Sequence, residues 1–212
     1  MRIVQPSTVR MKSAANILTQ LHARADPANL AGMARFGIAI ENRLGVAVPE
    51  MRRIAKAVGN DHRLALALWK TGIAEARIVA SMIAVPAQLT ETSMEAWVKD
   101  FNSWDVCDQV CMNVFDKTPL AGRKIVEWAA RKDEFVKRAA FALLAALASH
   151  DKAAADGTFV RLLPVIKRGT TFLEHLLLSD LSRDRCHEGL FVVGAMPVVG
   201  ASGSPVNPVV IG

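Results

Sequence analysis

FVKRAAFALLAALA, residues 135–148, is the stretch whose reading decides the fold. After its first turn it is apolar nearly all round, and alanine and leucine, strong helix formers, fill most positions. A surface helix carries one apolar stripe, whereas a helix without a polar face is buried on several sides. The stretch is therefore expected to be the middle layer of stacked helix pairs. Asp133 can cap it, giving a helix over EFVKRAAFALLAALASH.

Working outward, start and stop signals follow one another closely. Pro49 opens a helix and Gly59 follows its end. Asp61 can cap HRLALALWK, which ends at Thr71-Gly72. AEARIVASMIA stops before Pro86, and Thr90 can cap ETSMEAWVKDF. Ser103 can cap a helix starting at Trp104, and Thr118-Pro119 opens LAGRKIVEWAAR. Asp156-Gly157 precedes TFVRLLPVIKR, and Thr171 can start FLEHLLLSDLSRD. Short links force neighbouring helices to lie antiparallel. Helix pairs recur at roughly 35–45 residues, the range of HEAT-like solenoids. The expected class is all-α, with an irregular helical globule as the alternative. One helical domain is expected over 1–186, and a Gly/Pro/Val tail over 187–212, uncharged from residue 189 onward. Residues 189–212 hold five of the 13 glycines and three of the nine prolines, which excludes a helix there. An extended arm, a disordered end, or sequence outside the ancestral reading frame would each fit.

The 212 residues suit one domain with a real core. No run of about 18 apolar residues suggests a membrane span, and MRIVQPSTVRMKS lacks the pattern of a signal peptide. Three cysteines fit a reducing cytosol better than a disulfide framework. The net charge of +6 is unevenly spread. Residues 1–56 carry nine Lys/Arg against three Asp/Glu, 57–118 five against eight, and 119–212 twelve against nine. Basic ends around an acidic middle are compatible with a polyanion gripped at two places, and equally with scattered solvated charge.

FNSWDVCDQVCMNVF, residues 101–115, carries the candidate chemistry. On a helical wheel Trp104, Val106, Cys107, Val110, Cys111, Val114 and Phe115 form one apolar arc. Asp108 lies at its edge, about 40° from Trp104, and Asp105, Gln109 and Asn113 follow on the polar side. A carboxylate there can stabilise a developing positive charge or activate a water. It can also be an N-terminal helix acid favoured by the dipole. An indole face can hold a cation or a sugar edge, or belong to the core. Arg138 and Lys137, in the first turns of the apolar helix, can hold a phosphate. A snorkelling arginine or a salt bridge is the other reading of Arg138. Cys107 and Cys111, one turn apart, read as buried thiols rather than a metal site. The five histidines have no ligand spacing, and neither a phosphate-binding loop nor a dinucleotide fingerprint is present.

Four stretches carry a resemblance to the AlkD-like DNA alkylation-repair family. They are ARFGIAIENRLGVAVPEMRRIAK (34–56), ALALWKTGIAEARIVASMIA (65–84), AWVKDFNSWDVCDQV (96–110) and FVKRAAFALLAALA (135–148). W-D-x-x-D is moderately specific alone; with GVxVPEMR and LWxxGxxEAR upstream in order, the match is strong. It covers about residues 10–168. The resemblance implies an all-α, right-handed solenoid of HEAT-like antiparallel helix pairs whose concave basic face cradles duplex DNA. It implies a monofunctional glycosylase releasing N3- or N7-alkylated purines without base flipping, an exception to the usual strategy. Carried over by motif, Trp104 would contact the sugar and backbone, Asp108 would be the catalytic carboxylate, and Arg138 would hold a phosphate. Alkylated double-stranded DNA is the expected partner of a cytoplasmic monomer without metal or cofactor. The chain departs from the family at its C-terminus: Trp128 is its last tryptophan, so the family's further cleft-lining tryptophan has no counterpart, and residues 170–212 do not resemble the family's lysine-rich ending. A catalytically silent helical-repeat module that binds DNA or protein is the alternative.

Overall fold

A computed structural model of the chain describes residues 13–151, 156–162, 164–165, 190–195 and 206–211. The chain divides into two compact units, Met1–Asp151 and Lys152–Gly212.

The first unit holds α1 (Ala14–His22), α2 (Pro27–Arg35), α3 (Val48–Val58), α4 (His62–Trp69), α5 (Ala74–Ile83), α6 (Glu91–Lys99), α7 (Trp104–Asn113), α8 (Ala121–Ala129) and α9 (Glu134–His150). α5 packs on α7 and α7 on α9, with α3 and α4 flanking α5 and α6 and α8 flanking α9. The spine helices begin at Ala74, Trp104 and Glu134, a spacing of 30 residues rather than the expected 35–45. Very short outer helices cause the difference. α9 touches α6, α7 and α8, and buries Val136, Ala139, Ala140, Leu143 and Ala146. Contact with these three neighbours accounts for most of its lack of a polar face.

Several local signals act as expected. The Asp61 side chain accepts from Leu64 N at 2.9 Å, and that of Thr90 from Ser93 N at 3.2 Å. Pro49 lies in the first turn of α3, and Gly59 ends it at φ +71°. Others differ. Ser103 precedes α7, but its hydroxyl serves other partners than the helix N–H groups. Asp133 makes no side-chain cap, and α8 begins at Ala121 with Leu120 before it, while Thr118 Oγ1 donates to Phe115 O. The helix expected from Thr171 lies outside the described residues.

Trp69 and Trp97 stack at 4.0 Å, and Phe115 joins Trp97 to Trp128. The loop between α2 and α3 is organised around Glu75, a fully buried carboxylate on α5. It accepts from Leu44 N at 3.0 Å, Gly45 N at 2.8 Å and Val46 N at 3.3 Å. Two of the stretches that carry the resemblance thus meet at one side chain. Gly45 has φ +78°, and a Cβ there would collide with the Asp26 carbonyl oxygen. Gly45→Ala is expected to destabilise the protein by more than about 2 kcal/mol, seen as a lower denaturant midpoint at unchanged slope.

In the second unit, α10 (Asp156–Val160) begins at Asp156 itself. β1 (Leu190–Ala195) pairs antiparallel with β2 (Val206–Ile211), in the register Leu190↔Ile211 to Ala195↔Val206. Uncharged, valine-rich sequence favours extended pairing. Pro208 is tolerated because each strand of a two-stranded ribbon has an open edge.

Candidate active site

α7 and α9 are neighbours in the spine, and this places Trp104, Asp108 and Arg138 together. Arg138 donates from Nε to Asp108 Oδ1 at 2.9 Å and from Nη2 to Oδ2 at 2.8 Å. The fork is bidentate, the geometry in which a guanidinium matches a carboxylate best. The Arg138 guanidinium carbon also lies 5.6 Å from the centre of the Trp104 ring. Trp104 is half-buried, whereas Trp69, Trp97 and Trp128 are core residues. Burial pulls the Arg138 guanidinium toward deprotonation, but the hydrogen bonds and charge of Asp108 outweigh it and hold its pKa above the ordinary value. Arg138 therefore remains a cation under all working conditions.

The sequence left two readings of Arg138, a salt bridge or a phosphate anchor. The salt bridge is present, with side chains 43% and 29% exposed for Arg138 and Asp108, so the pair faces solvent and can be reached. Nη1 makes no hydrogen bond among the described residues. Lys137 is half-buried, and its side chain makes no hydrogen bond or ion pair among them. A cavity of about 280 Å³ opens beside the pair, with Met112, Phe141, Ala142 and Ala145 among its walls. The apolar side of α9 that packing leaves uncovered thus becomes one wall of this cavity.

Cys107 and Cys111 are fully buried, with sulfurs 3.8 Å from Phe135 O and 3.5 Å from Ala139 O of α9. Burial, reinforced by Cys107, pushes the Cys111 thiol well above its ordinary pKa, so it is a packing group rather than a nucleophile. Among the described residues no group of three His, Cys, Asp or Glu could hold a metal ion, and no helix is long and apolar enough to cross a membrane. His175, Cys186 and His187 lie outside the described residues.

Sequence reasoning overlooked the other half of this site. Asp105, assigned to the polar side of the wheel, is only 16% exposed and pairs with Arg43, whose side chain is 2% exposed. Trp104 Nε1 donates to Phe36 O at 2.9 Å. The signal was available in W-D-x-x-D, where the first aspartate recurs with the second, but its partner lies 62 residues away.

No curated protein matches the chain. A solved structure is similar in fold at a TM-score of 0.65 and 23% identity, covering 73% of this chain and 66% of that one. It is described as a new family of proteins related to the HEAT-like repeat DNA glycosylases with affinity for branched DNA structures. The chain thus spans 66% of the length of that protein. At this identity the likeness concerns the fold, and it places the helical unit among HEAT-like repeats. The family model described as DNA alkylation repair enzyme matches residues 17–171, which take in the loop around Glu75, the Trp104–Asp108 turn and Arg138. The chain belongs to the DNA alkylation repair enzyme family.

Proposed function

We propose that the protein is a monofunctional DNA glycosylase that releases N3- or N7-alkylated purines from duplex DNA. The observation that carries this reading is the solvent-facing Asp108–Arg138 fork beside the Trp104 ring. An alkylated purine of this kind is already cationic. The electron pair of its glycosidic bond returns to the ring, so the base leaves neutral without a general acid. The sugar is left with oxocarbenium character, and Asp108 offers a carboxylate to that charge. Water adds at C1′ and gives up its proton, and Asp108 is the acceptor within reach of this face. Trp104 lays an indole face against the sugar. Arg138 orients Asp108 through Nε and Nη2, while Nη1 is left for a backbone phosphate. Asp108 and Trp104 are thus the proposed catalytic residues, with Arg138 and Lys137 binding DNA. The lesion stays in the duplex, and the protein works as a cytoplasmic monomer without a cofactor.

The test is incubation with duplex DNA containing N7-methylguanine, followed by measurement of free base and abasic sites. Release above background supports the reading; none from folded, DNA-binding protein sinks it. The second reading is a silent DNA-binding module, and two observations favour it. No tryptophan follows Trp128, and the structural neighbour is described by its affinity for branched DNA. Tighter binding to a four-way junction than to alkylated duplex, with no base released, would select it. Under either reading Arg138→Ala is expected to weaken DNA binding and lower the slope of log K against log salt by about 1. An unchanged slope would return Arg138 to a structural role.

A further inference from the structure

We propose that Arg43, acting through Asp105, is a positioning residue that sets the Trp104 ring over the Asp108–Arg138 fork; this rests on the glycosylase reading above. Arg43 stands in the loop between α2 and α3, and Asp105 in the first turn of α7. Arg43 donates from Nη1 to Asp105 Oδ2 at 2.7 Å and from Nη2 to Oδ1 at 2.8 Å, and from Nε to Ala39 O at 2.8 Å. Ser103 Oγ donates to Asp105 Oδ1 at 2.6 Å and accepts from Ala39 N at 3.2 Å. Arg43, Ala39, Ser103 and Asp105 therefore close a ring of hydrogen bonds between loop and helix.

Trp104 lies between two members of that ring in the chain. Its indole N–H is bound by Phe36 O, in the same loop. The loop thus holds the ring nitrogen, and the clasp holds the backbone on either side. One turn on, Asp108 meets Arg138. Two features argue for precision rather than added stability. A buried ion pair is weak evidence for stability, since desolvation offsets its attraction. And Ser103 makes no helix cap, the bond its position would normally form, and joins the clasp instead. A loop merely held in place would not require that exchange.

The experiment uses the full chain with its four tryptophans labelled as 5-fluorotryptophan, the Trp104 resonance being assigned from Trp104→Phe. Arg43→Met removes the clasp, and Arg43→Lys keeps the charge without the fork. Arg43→Met is expected to move or broaden the Trp104 resonance alone. It should lower the single-turnover rate of N7-methylguanine release by about 10- to 100-fold, with DNA affinity within about twofold and Arg43→Lys intermediate in rate. Movement of all four resonances with the loss of rate would make Arg43 a folding residue and overturn the proposal. So would a wild-type rate, or an unmoved Trp104 resonance, in Arg43→Met. If Arg43→Met does not fold, Arg43→Lys is read by the same two criteria. If the wild-type protein releases no base, the glycosylase reading fails by itself; a shift confined to Trp104 still supports the clasp, and its absence still overturns it.

Discussion

Asp108→Asn should slow release of N7-methylguanine by at least about 100-fold while leaving binding to alkylated duplex intact or tighter. The amide keeps the size and most of the hydrogen bonding of the carboxylate, so Arg138 keeps a partner on one oxygen. What it removes is the negative charge that would face the sugar as it turns cationic. An interaction needed only in the transition state lowers the rate and not the affinity. Binding should not weaken, because the substrate backbone is anionic and the substitution removes an anion from its path. Single-turnover kinetics under enzyme excess, with the dissociation constant measured separately, distinguishes the two quantities. Wild-type rate in the variant would take Asp108 out of the mechanism, and a loss of affinity alone would make it a binding residue.

The second large effect concerns stability. Lys124 on α8 is almost fully buried and meets three carboxylates, Glu91 at 2.7 Å, Glu95 at 2.8 Å and Glu127 at 2.6 Å. Trp128 Nε1 adds a bond to Glu95 at 2.8 Å. The cluster joins α6 to α8. Lys124→Met keeps the volume and removes the cation, leaving three carboxylates against Arg123 and Arg131. The expected cost is about 3 kcal/mol at neutral pH, measured as a lower free energy of unfolding.

The pH dependence should separate the two proteins. In the wild type, burial raises the Glu95 carboxyl pKa, but the bonds from Lys124 and Trp128 outweigh it and hold it below its ordinary value. Glu91 is held low by Lys124 and Arg123. A carboxyl with a depressed native pKa stabilises the fold above its unfolded value of about 4.3, and that contribution is lost as pH falls through the native value. Acid therefore destabilises the wild type through this cluster. In Lys124→Met the crowded carboxylates favour protonation, so lowering the pH from 7 toward 5 should recover part of the loss. A parallel pH profile in the two proteins would show that Lys124 acts through packing alone.

Residues 135–148 by themselves determined much of the fold, because a helix without a polar face is stable only where other helices cover most of it. The caps at Asp61 and Thr90 were legible for a similar reason, since cap and N–H lie within three residues of each other. The closeness of Trp104 and Asp108 follows from helical spacing alone. Spacing could not show what pairs across the stack. The Arg138 fork joins residues 30 apart, Glu75 reaches a loop about as far back, and Arg43 reaches Asp105 across 62. Asp105 is the clearest case. On its own helix it reads as a solvated acid, and only packing of the loop against α7 turns it inward. Local geometry fixes which side chains share a face, whereas the partner that satisfies a half-buried charge is chosen by desolvation, which exists only after the helices have met.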